Sequence, residues 1–404
     1  MITTINNKHN KLNFSSEREQ SQACLNSAEH EKNQGRKVLN VPNLRFKEFE
    51  GEWEKTKFGD IAVVVGGGTP DTNTSQYWNG KIQWFTPSEI GRNKYVYNSV
   101  RTISEEGLNK SSAKLLPIGT ILLSSRATVG ECSINKKECT TNQGFQSLIP
   151  KENISNEFVY YLIQTKRKDL IRKSCGSTFL EISANEVRKI VVSIPTIKEQ
   201  DKIAKLLSLL DERIATQNKI IDKLQTLIKG IAHKVSKQGK PNIRLSECLL
   251  CTSSTLQESD VAEVGAYPVY GANGIVGYLD TYNTTSDAIY IIKDGSGVGA
   301  VSCVKGKCSA TGTLNILQTK EGFSLRYLYF ILKVFSFEPY KTGMAIPHIY
   351  FKDYGKAKIY CPSNQLQCKY ADLLSKIEQK ATAEQKILDN LCSQKQYLLC
   401  QMFI

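Results

Sequence analysis

The stretch IPTIKEQDKIAKLLSLLDERIATQNKIIDKLQTLIKGIAHKV at residues 194–235 decides the fold of this chain. Its apolar residues recur at alternating steps of four and three, which is the heptad pattern of a coiled-coil helix. The seam positions, interrupted by one polar residue, are Ile203, Leu207, Leu210, Ile214, Gln217, Ile221, Leu224, Ile228, Ile231 and Val235. Pro195 stands just ahead of this pattern, where helices commonly begin. We therefore predict one long helix with a continuous apolar face.

The same pattern returns near the end of the chain, where residues 361–399 match residues 194–232 without a gap, at a shift of 167 positions. The identical pairs are Pro195/Pro362, Gln200/Gln367, Lys202/Lys369, Ala204/Ala371, Leu206/Leu373, Leu207/Leu374, Ser208/Ser375, Lys219/Lys386, Ile220/Ile387, Asp222/Asp389 and Leu224/Leu391. The second seam reads Tyr370, Leu374, Ile377, Ala381, Glu384, Leu388, Leu391, Lys395, Leu398 and Met402. The same shift also aligns Gly176/Gly343, Ile182/Ile349 and Lys189/Lys356. A repeat of this length is a tandem duplication of one unit.

The segments before the two helices are rich in Gly, Tyr, Thr and β-branched residues, which indicates mixed α/β domains with many loops. The predicted strands are Ile61 to Val65, Thr120 to Leu123, Val191 to Ile194, Ala288 to Ile292 and Leu314 to Leu317, and the predicted helices are Phe158 to Lys173 and Leu325 to Phe335. The expected divisions are a polar, disordered extension at 1–42, a first domain at 43–195, a central helix at 196–239, a second domain at 240–362 and a C-terminal helix at 363–404. Two helices of this length would expose their seams, so we expect them to pack on each other; the alternative is that each packs only on its own domain.

The composition favours a globular protein with a polyanionic partner. Of 404 residues, 40% are hydrophobic and 23% charged, and 53 Lys and Arg against 39 Asp and Glu give a net charge of +14. The positive surplus is spread along the chain, which favours binding over a surface, although solubility alone would also explain it. No stretch reaches the roughly 18–20 apolar residues of a membrane helix. The twelve scattered cysteines and the polar N-terminus predict a cytoplasmic protein.

Two apparent motifs are rejected. Residues 294–300, DGSGVGA, satisfy the spacing of a dinucleotide-binding fingerprint, but a strand-like segment follows where a helix is required, so a glycine hairpin is the better interpretation. Cys248, Cys251, Cys303 and Cys308 could be drawn as zinc ligands, but the first two lie in an apolar run. We expect neither a metal nor a cofactor, and no catalytic constellation is convincing.

Several loops and one cationic run carry chemistry suited to nucleic acid. Residues 141–144, TNQG, offer two amides that could pair bidentately with adenine, and the cations between 166 and 173 would suit phosphates. Turn chemistry or a solvated face is the competing explanation for each. The candidate DNA-binding residues are Thr86, Ser88, Arg126, Asn142, Gln143, Lys166, Arg167, Lys168, Arg172, Lys173, Ser177, Thr178, Tyr270, Asn273, Lys293, Ser296 and His348.

Several ordered motifs resemble the specificity subunits of type I restriction–modification systems, over nearly all of residues 41–404. They are Val41-Pro42-x-Leu44-Arg45-Phe46 with Trp53; Gly67-Gly68-Thr69-Pro70; Tyr77-Trp78-Asn79-Gly80; Trp84-x-Thr86-Pro87-Ser88-Glu89-Ile90; Arg126-x-Thr128-Val129-Gly130 with Asn142-Gln143; Pro195 with Glu199-Gln200-x-x-Ile203; and Tyr267-Pro268-Val269-Tyr270-Gly271-Ala272-Asn273-Gly274. The second helix departs from the family pattern, with Leu366-Gln367 where the first has Glu199-Gln200, and residues 1–40 have no family counterpart.

The resemblance implies an α+β fold in which two mixed α/β target-recognition domains are separated by two long antiparallel coiled-coil helices, as a pseudo-twofold tandem repeat. It also implies that each domain reads one half of a split site in double-stranded DNA, that the helices dock two modification (methyltransferase) subunits, and that restriction subunits join them. The chain would then be a non-catalytic recognition subunit. An enzyme fused to its own recognition domains would need a methyltransferase or nuclease motif, and a protein-only scaffold would not need the basic surplus.

Two further expectations concern the helices. The 33 residues from 203 to 235 would form about 50 Å of helix, which corresponds to on the order of 15 base pairs of DNA. In an antiparallel pair the helix centres meet, so that Gln217 and Glu384 should face each other as a polar layer that fixes the register. The alternative is that both side chains turn to the solvent edge.

Overall fold

The computed structural model describes residues 39–176 and 180–404 of the chain. The described residues form two compact units. Unit 1 comprises the chain through Arg213 together with Leu391–Ile404, and unit 2 comprises Ile214–Asn390. Both unit boundaries fall within the long helices, so each unit contains one globule and part of each helix.

The described part of unit 1 contains ten strands and five helices ahead of the first long helix. The strands are β1 (Glu54–Lys57), β2 (Ala62–Gly66), β3 (Trp78–Phe85), β4 (Tyr95–Val96), β5 (Arg101–Ile103), β6 (Ile121–Leu123), β7 (Cys132–Asn135), β8 (Cys139–Thr141), β9 (Gln146–Pro150) and β10 (Val191–Ile194). The helices are α1 (Phe58–Ile61), α2 (Glu105–Asn109), α3 (Asn156–Thr165), α4 (Arg167–Arg172) and α5 (Ala184–Lys189), with 3-10 turns at Ser75–Tyr77 and Pro87–Glu89. The sheet orders are β2-β9-β6-β7-β4, β5-β3-β8 and β1-β10.

The core of unit 1 forms around α3, in which every side chain from Phe158 to Ile163 is buried. A helix that is apolar on all sides belongs in the interior, and the same core contains Ile121 and Leu123 of β6, Cys132 and Ile134 of β7 and Leu148 of β9. The strands predicted in this unit are confirmed to within one residue at each end. The single helix predicted from Phe158 to Lys173 is wrong, because the chain leaves helical geometry at Lys166 (φ −93°, ψ 9°) between α3 and α4.

Unit 2 repeats this mixture of helices and sheets. Its strands are β11 (Ile243–Arg244), β12 (Leu249–Ser253), β13 (Tyr267–Gly271), β14 (Gly274–Leu279), β15 (Ala288–Ile292), β16 (Val301–Val304), β17 (Ser309–Ala310), β18 (Leu314–Thr319) and β19 (Lys358–Ile359). After the first long helix, α6 (Ile197–Ser236), its helices are α7 (Leu245–Cys248), α8 (Leu325–Val334) and α9 (Phe351–Tyr354), with 3-10 turns at Glu258–Asp260 and Glu338–Tyr340. The sheet orders are β12-β18-β15-β16, β14-β13-β17 and β11-β19. The strands and the helix predicted here are confirmed, and residues 294–300 join the antiparallel strands β15 and β16 as the expected hairpin.

The two long helices, α6 with 40 residues and α10 (Asn364–Gln401) with 38 residues, carry the predicted seams. All the seam positions are buried or half-buried. Within unit 2, Gln217 on α6 bonds to Glu384 on α10, and the Tyr370 hydroxyl donates to Gln238 at 2.6 Å. Gln238, just after the end of α6, thus lies beside Tyr370 near the start of α10, whereas the earlier Gln217 lies beside the later Glu384. The two helices therefore run antiparallel in this unit.

The predicted polar layer is confirmed. The Gln217 amide nitrogen donates to the Glu384 backbone carbonyl at 2.9 Å and also to its side-chain carboxylate, and both residues are buried. Lys380, one turn earlier on α10, forms an ion pair with the same carboxylate. The Lys380 ammonium and the Gln217 amide hold the pKa of Glu384 below its usual value, so this buried acid is kept ionised with partners.

Each end of the helical pair packs on a globule as well as on the other helix. In unit 1, Leu207 of α6 and Leu399 of α10 lie in one core with Phe158, and Lys395 of α10 pairs with Asp211 of α6 at 2.7 Å. The alternative that each helix packs only on its own domain is therefore wrong.

The repeated glutamines explain part of the duplication. Gln200 is buried; its amide nitrogen donates to the Pro195 carbonyl at 2.9 Å and its oxygen accepts from the Ser155 N–H at 3.0 Å. Gln367 makes the same two bonds, to Pro362 and Ser324, at the same distances. Each side chain thus ties the first turn of a long helix to the residue that precedes α3 or α8. A buried amide with both ends satisfied is costly to replace, which gives a physical reason for the identity at this position.

The departure from the repeat at the preceding position also has a structural cause. Glu199 is buried and accepts two hydrogen bonds from the Arg45 guanidinium, each of 2.8 Å. The indole of Trp53 donates to the same carboxylate at 3.4 Å. Leu366, the repeat equivalent, is 41% exposed. The first copy therefore has glutamate at this position because the carboxylate binds Arg45 and Trp53.

Residues 39–42, which the sequence places in a disordered extension, contact unit 1: the Asn40 amide donates to the Trp53 carbonyl at 2.5 Å, and Pro42 is buried. The rest of that predicted extension, residues 1–38, lies outside the described residues. No helix in the described ranges is both long and apolar enough to span a membrane.

Candidate nucleic-acid interface

In unit 1, the amide turn, residues 141–144 with the side chains of Asn142 and Gln143, lies where two parallel strands end side by side. Strands β3 and β8 pair in parallel, with Phe85 opposite Thr141. The chain continues the pairing for one more bond, because the Asn142 N–H donates to the Phe85 carbonyl at 3.0 Å. Thr86 and Asn142 therefore leave the same edge of the sheet. Both are predicted site residues, and the fold brings them together.

The amide turn is held from within and by a neighbouring glycine segment. The Asn142 side-chain oxygen accepts from the Gly144 N–H at 2.9 Å, and the Thr69 hydroxyl donates to the Gln143 side-chain oxygen at 2.5 Å. A Cβ atom at Gly67 would collide with the Asn142 carbonyl oxygen, so only glycine allows this close approach. Asn142 and Gln143 thus have restricted positions, as base readout requires.

A third predicted residue, Arg126, joins this edge through the backbone. The Ser125 N–H donates to the Gly144 carbonyl at 2.8 Å, which places the loop that carries Arg126 beside the amide turn. The Arg126 guanidinium pairs with Glu181 at 2.8 Å, and both side chains remain more than 40% exposed. An arginine held in this way is preorganised at the surface.

Thr86 and Ser88 have a local structural use. The Thr86 N–H and hydroxyl both donate to the Glu89 carboxylate, at 2.8 and 2.7 Å, which caps the short 3-10 turn Pro87–Glu89. The Ser88 hydroxyl lies 3.1 Å from the Thr86 hydroxyl. The Thr86 hydroxyl therefore donates to Glu89, whereas the Ser88 hydroxyl does not.

The predicted cationic run is divided by the break at Lys166. The Lys166 ammonium donates to the Ile404 backbone carbonyl at 2.8 Å, and burial lowers its pKa. Arg167 lies 3.5 Å from Glu131, while Arg172, 77% exposed, pairs with Asp169 one turn away at 2.7 Å. The five cations are therefore not on one continuous helix, because Lys166 lies between α3 and α4 and Lys173 follows the end of α4.

In unit 2 the same backbone network recurs with other side chains. Strands β13 and β17 pair in parallel, and the Thr311 N–H donates to the Tyr270 carbonyl at 2.8 Å, as Asn142 does to Phe85. The Lys293 N–H donates to the Thr313 carbonyl at 3.0 Å, as Ser125 does to Gly144. Two predicted residues, Tyr270 and Lys293, are thus brought to one edge.

The ion pair of this edge is replaced by a pair of inverted polarity. Asp294 stands where unit 1 has Arg126, and His348 stands where unit 1 has Glu181. The His348 Nδ1 lies 2.6 Å from a carboxylate oxygen of Asp294. In both units two backbone bonds lie next to the pair, between Cys175 and Glu181 in unit 1 and between Thr342 and His348 in unit 2.

The remaining predicted residues have mixed placements. Asn273 in the β13–β14 turn and Ser296 in the β15–β16 turn are exposed. Burial raises the pKa of the half-buried Tyr270 hydroxyl. Ser177 and Thr178 lie outside the described residues.

Sequence reasoning missed the two acids, Glu181 and Asp294, and the anchoring threonine, Thr69. A signal for Glu181 was present, because the repeat shift that aligns Ile182 with Ile349 also aligns Glu181 with His348. Among residues 39–176 and 180–404, no group of three or more His, Cys, Asp or Glu side chains is placed to hold a metal ion.

Comparison with known proteins identifies the family. The profile described as "Type I restriction modification DNA specificity domain" matches residues 50–226 and again residues 248–392, in agreement with the duplication. The type I restriction enzyme MjaIX specificity subunit of Methanocaldococcus jannaschii is 40% identical over 180 residues, which cover 43% of this chain and 42% of that protein. The EcoR124I/EcoR124II specificity subunit of Escherichia coli is 33% identical over 175 residues, covering 42% of this chain and 43% of that protein. The matches thus span less than half the length of these two relatives.

Solved structures agree on the fold. The crystal structure of a type I restriction–modification S subunit from M. genitalium has a TM-score of 0.61 and 20% identity, over 90% of this chain and 99% of that one. A structure from work on complex assembly and conformational transition of the type I R-M system has a TM-score of 0.54 and 16% identity, over 86% and 96% of the two chains. The expected mixed fold with tandem domains is confirmed.

Proposed function

Since this chain belongs to the type I restriction modification DNA specificity family, we propose that it is the sequence-specific DNA-binding subunit of a type I restriction–modification complex. The globules at 43–195 and 240–362 are its two target-recognition domains, and each reads one half of a bipartite site. The helical segments 196–239 and 363–404 connect and position them. Methylation and cleavage are carried out by partner subunits, so this subunit is itself non-catalytic.

The observation that carries the proposal is the edge network built twice with different side chains. In each unit, parallel strands deliver two loops to one place, and a third loop is bonded to them through the backbone. The first unit offers Asn142, Gln143 and Arg126 there, a set suited to adenine and guanine edges or to phosphate. The second offers Thr313 and Lys293 beside the Asp294–His348 pair, while Thr311 is buried and its hydroxyl lies 2.8 Å from that of Thr313. Constant backbone with variable side chains is the arrangement expected of two readers of different half-sites.

Electrostatics supports DNA as the ligand. The net charge of +14 favours association with a polyanion and would make affinity strongly dependent on salt. A DNA-recognition subunit would act in the cytoplasm, where we place it.

The long helices also supply a surface for the modification subunits. Ile220 and Ile387 are identical repeat partners, and they are 38% and 42% exposed beside the buried seam. Leu227 and Leu373 continue this exposed apolar surface at 48% each. An apolar stripe on an already paired helix suits docking of further helices. In the proposed complex, two methyltransferase subunits dock on these helices and restriction subunits join the assembly.

Domain exchange with methylome sequencing tests the recognition function. The subunit is expressed with its methyltransferase partner, once unchanged and once with residues 43–195 replaced by the corresponding domain of another family member. We expect one half of the methylated motif to change while the other half and the spacer remain. Exchange of residues 240–362 is the matched control, and it should change the opposite half. A change in both halves in either exchange would contradict separate readout.

A further inference from the structure

The hairpin at residues 342–348 of unit 2 exposes apolar side chains at its tip. Met344 is fully exposed, at 104% of its reference area, and Ile346 is 57% exposed. Ala345 between them is also exposed. An exposed cluster of this kind is unfavourable in water unless it serves a contact.

The hairpin is firmly built. The Thr342 N–H donates to the His348 carbonyl at 2.9 Å, and the His348 N–H donates to the Thr342 carbonyl at 2.7 Å. Gly343 has φ +89°, and a Cβ atom there would collide with the Ile346 carbonyl oxygen. The tip is therefore a defined structure that presents Met344 and Ile346, in which glycine at 343 is required.

The base of the hairpin is joined to the edge network of unit 2. The Gly295 N–H donates to the Pro347 carbonyl at 3.0 Å, and the Ile349 N–H donates to the Lys293 carbonyl at 2.9 Å. The His348–Asp294 pair adds a side-chain contact at the same place. The apolar tip thus projects from the loops that carry the candidate DNA-binding residues of this unit.

The charge around the tip matches DNA. Residues 341–352, KTGMAIPHIYFK, contain two lysines, one histidine and one acid-free apolar centre, and acids outside this stretch pair with two of these groups: Glu338 with Lys341 and Asp294 with His348, each at 2.6 Å. Lys352 and, at the base of the hairpin, Lys293 remain to attract phosphate groups, while the apolar tip has one apolar target in the major groove, the C5-methyl group of thymine.

We infer that Met344 and Ile346 read thymine methyl groups in the half-site of unit 2. This inference rests on the proposed function and deepens it, because it assigns a base class to one domain. Met344 is unbranched and adapts its shape, so that it follows the methyl surface, whereas Ile346 adds a stiff branched contact.

Replacing thymine by deoxyuridine provides a direct test, because it removes only the methyl group. Fluorescence anisotropy would measure binding of the full chain, with its methyltransferase partner, to duplexes carrying the motif found by methylome sequencing. Each thymine of the unit 2 half-site is replaced in turn. We expect at least one replacement to weaken wild-type binding about fourfold, the value for burying one methyl-sized group. The variant Met344→Ala/Ile346→Ala should bind thymine DNA more weakly and should not distinguish deoxyuridine from thymine.

Val264→Ala is the matched control, since Val264 is 86% exposed and lies near the end of the β13–β14 hairpin opposite its turn. It should keep the full thymine preference. A wild-type subunit that is indifferent to every thymine replacement would overturn the inference, as would a double variant that still prefers thymine fourfold or that weakens both DNAs equally. A wild-type subunit with no sequence-specific binding at all would instead contradict the proposed function, so the two failures are distinguishable.

Discussion

The two edge networks share their backbone and differ in their side chains. Asn142, Gln143 and Gly144 of unit 1 correspond to Thr311, Gly312 and Thr313 of unit 2, and the backbone bonds that hold the two turns agree within about 0.2 Å of each other in length. At the adjoining loop the Arg126–Glu181 pair is replaced by Asp294–His348, which inverts its polarity. The two copies share the backbone hydrogen bonds that place the loops and differ in the side chains that these loops carry. We therefore expect the backbone to position these loops and their side chains to determine which bases each unit reads.

The largest effect is expected where the scaffold itself differs between the units. Glu199→Ala removes a buried carboxylate from Arg45 and Trp53, and it should lower the free energy of unfolding by about 3 kcal/mol, the usual cost of breaking a buried ion pair. Leu366→Ala at the repeat-equivalent position should cost less than about 1 kcal/mol, because Leu366 is 41% exposed. Chemical denaturation of both variants measures the difference. Equal losses would mean that the Arg45 contact does not stabilise unit 1.

A smaller effect is expected at the inverted pair. Arg126→Ala removes a cation that faces outward, and it should weaken specific DNA binding by about 1–2 kcal/mol, or roughly 5- to 30-fold. Asp294→Ala at the equivalent position removes an acid, which does not attract phosphate, so this change should leave the electrostatic attraction to DNA intact. Competition binding on the methylated motif compares the two. If Asp294→Ala is the more damaging change, the pair in unit 2 orders its loops and the polarity inversion does not reflect readout.

The divided cationic run sharpens the comparison within unit 1. Arg172→Ala should lower affinity for all DNA sequences alike and reduce the slope of log affinity against log salt by roughly 0.9, the value for one lost phosphate contact. Lys166→Ala is the control, because its ammonium is bonded to the Ile404 carbonyl and burial lowers its pKa. That variant should leave the salt slope unchanged. Identical slopes in wild type and Arg172→Ala would mean that Arg172 faces solvent and does not contact phosphate.

Much of the fold could be predicted because its decisive signals are periodic. The seams from Ile203 and Tyr370 placed both long helices, and the register of the repeat placed Gln217 opposite Glu384. Helix α3 was extended too far, because no proline or glycine marks the break at Lys166; the contact with Ile404, far along the chain, is invisible locally. Two-residue strands such as Tyr95–Val96 carry no periodicity at all.

The candidate site was predicted less completely for a related reason. Asn142, Gln143 and Arg126 were identified by their chemistry, but their proximity depends on the bond from Ser125 to Gly144, which joins two loops. Loop-to-loop contacts follow from the packed structure and leave no pattern in the sequence. Glu181 was missed because an isolated acid has no motif, although its alignment with His348 could have identified the position.

The smallest effect on stability is expected where the repeat equivalents Gln217 and Glu384 meet. Gln217→Leu with Glu384→Leu replaces a buried amide and a buried carboxylate by apolar groups of similar size. Replacing both partners of a buried polar contact is often neutral or stabilising, so unfolding should change by less than about 1 kcal/mol, in either direction. The single variant Gln217→Leu is the control, because it leaves Glu384 without its amide partner and should be the less stable of the two.

The double variant should also fix the register of the two helices less strictly. A shift by one heptad in the native protein would set Gln217 and Glu384 against leucine or isoleucine, and the double variant removes that penalty. Methylome sequencing should therefore show that a family of spacer lengths is methylated, where the unchanged subunit accepts one. Methylation of the original spacer alone, at unchanged efficiency, would mean that packing of the helix ends on the two globules sets the register without the polar layer.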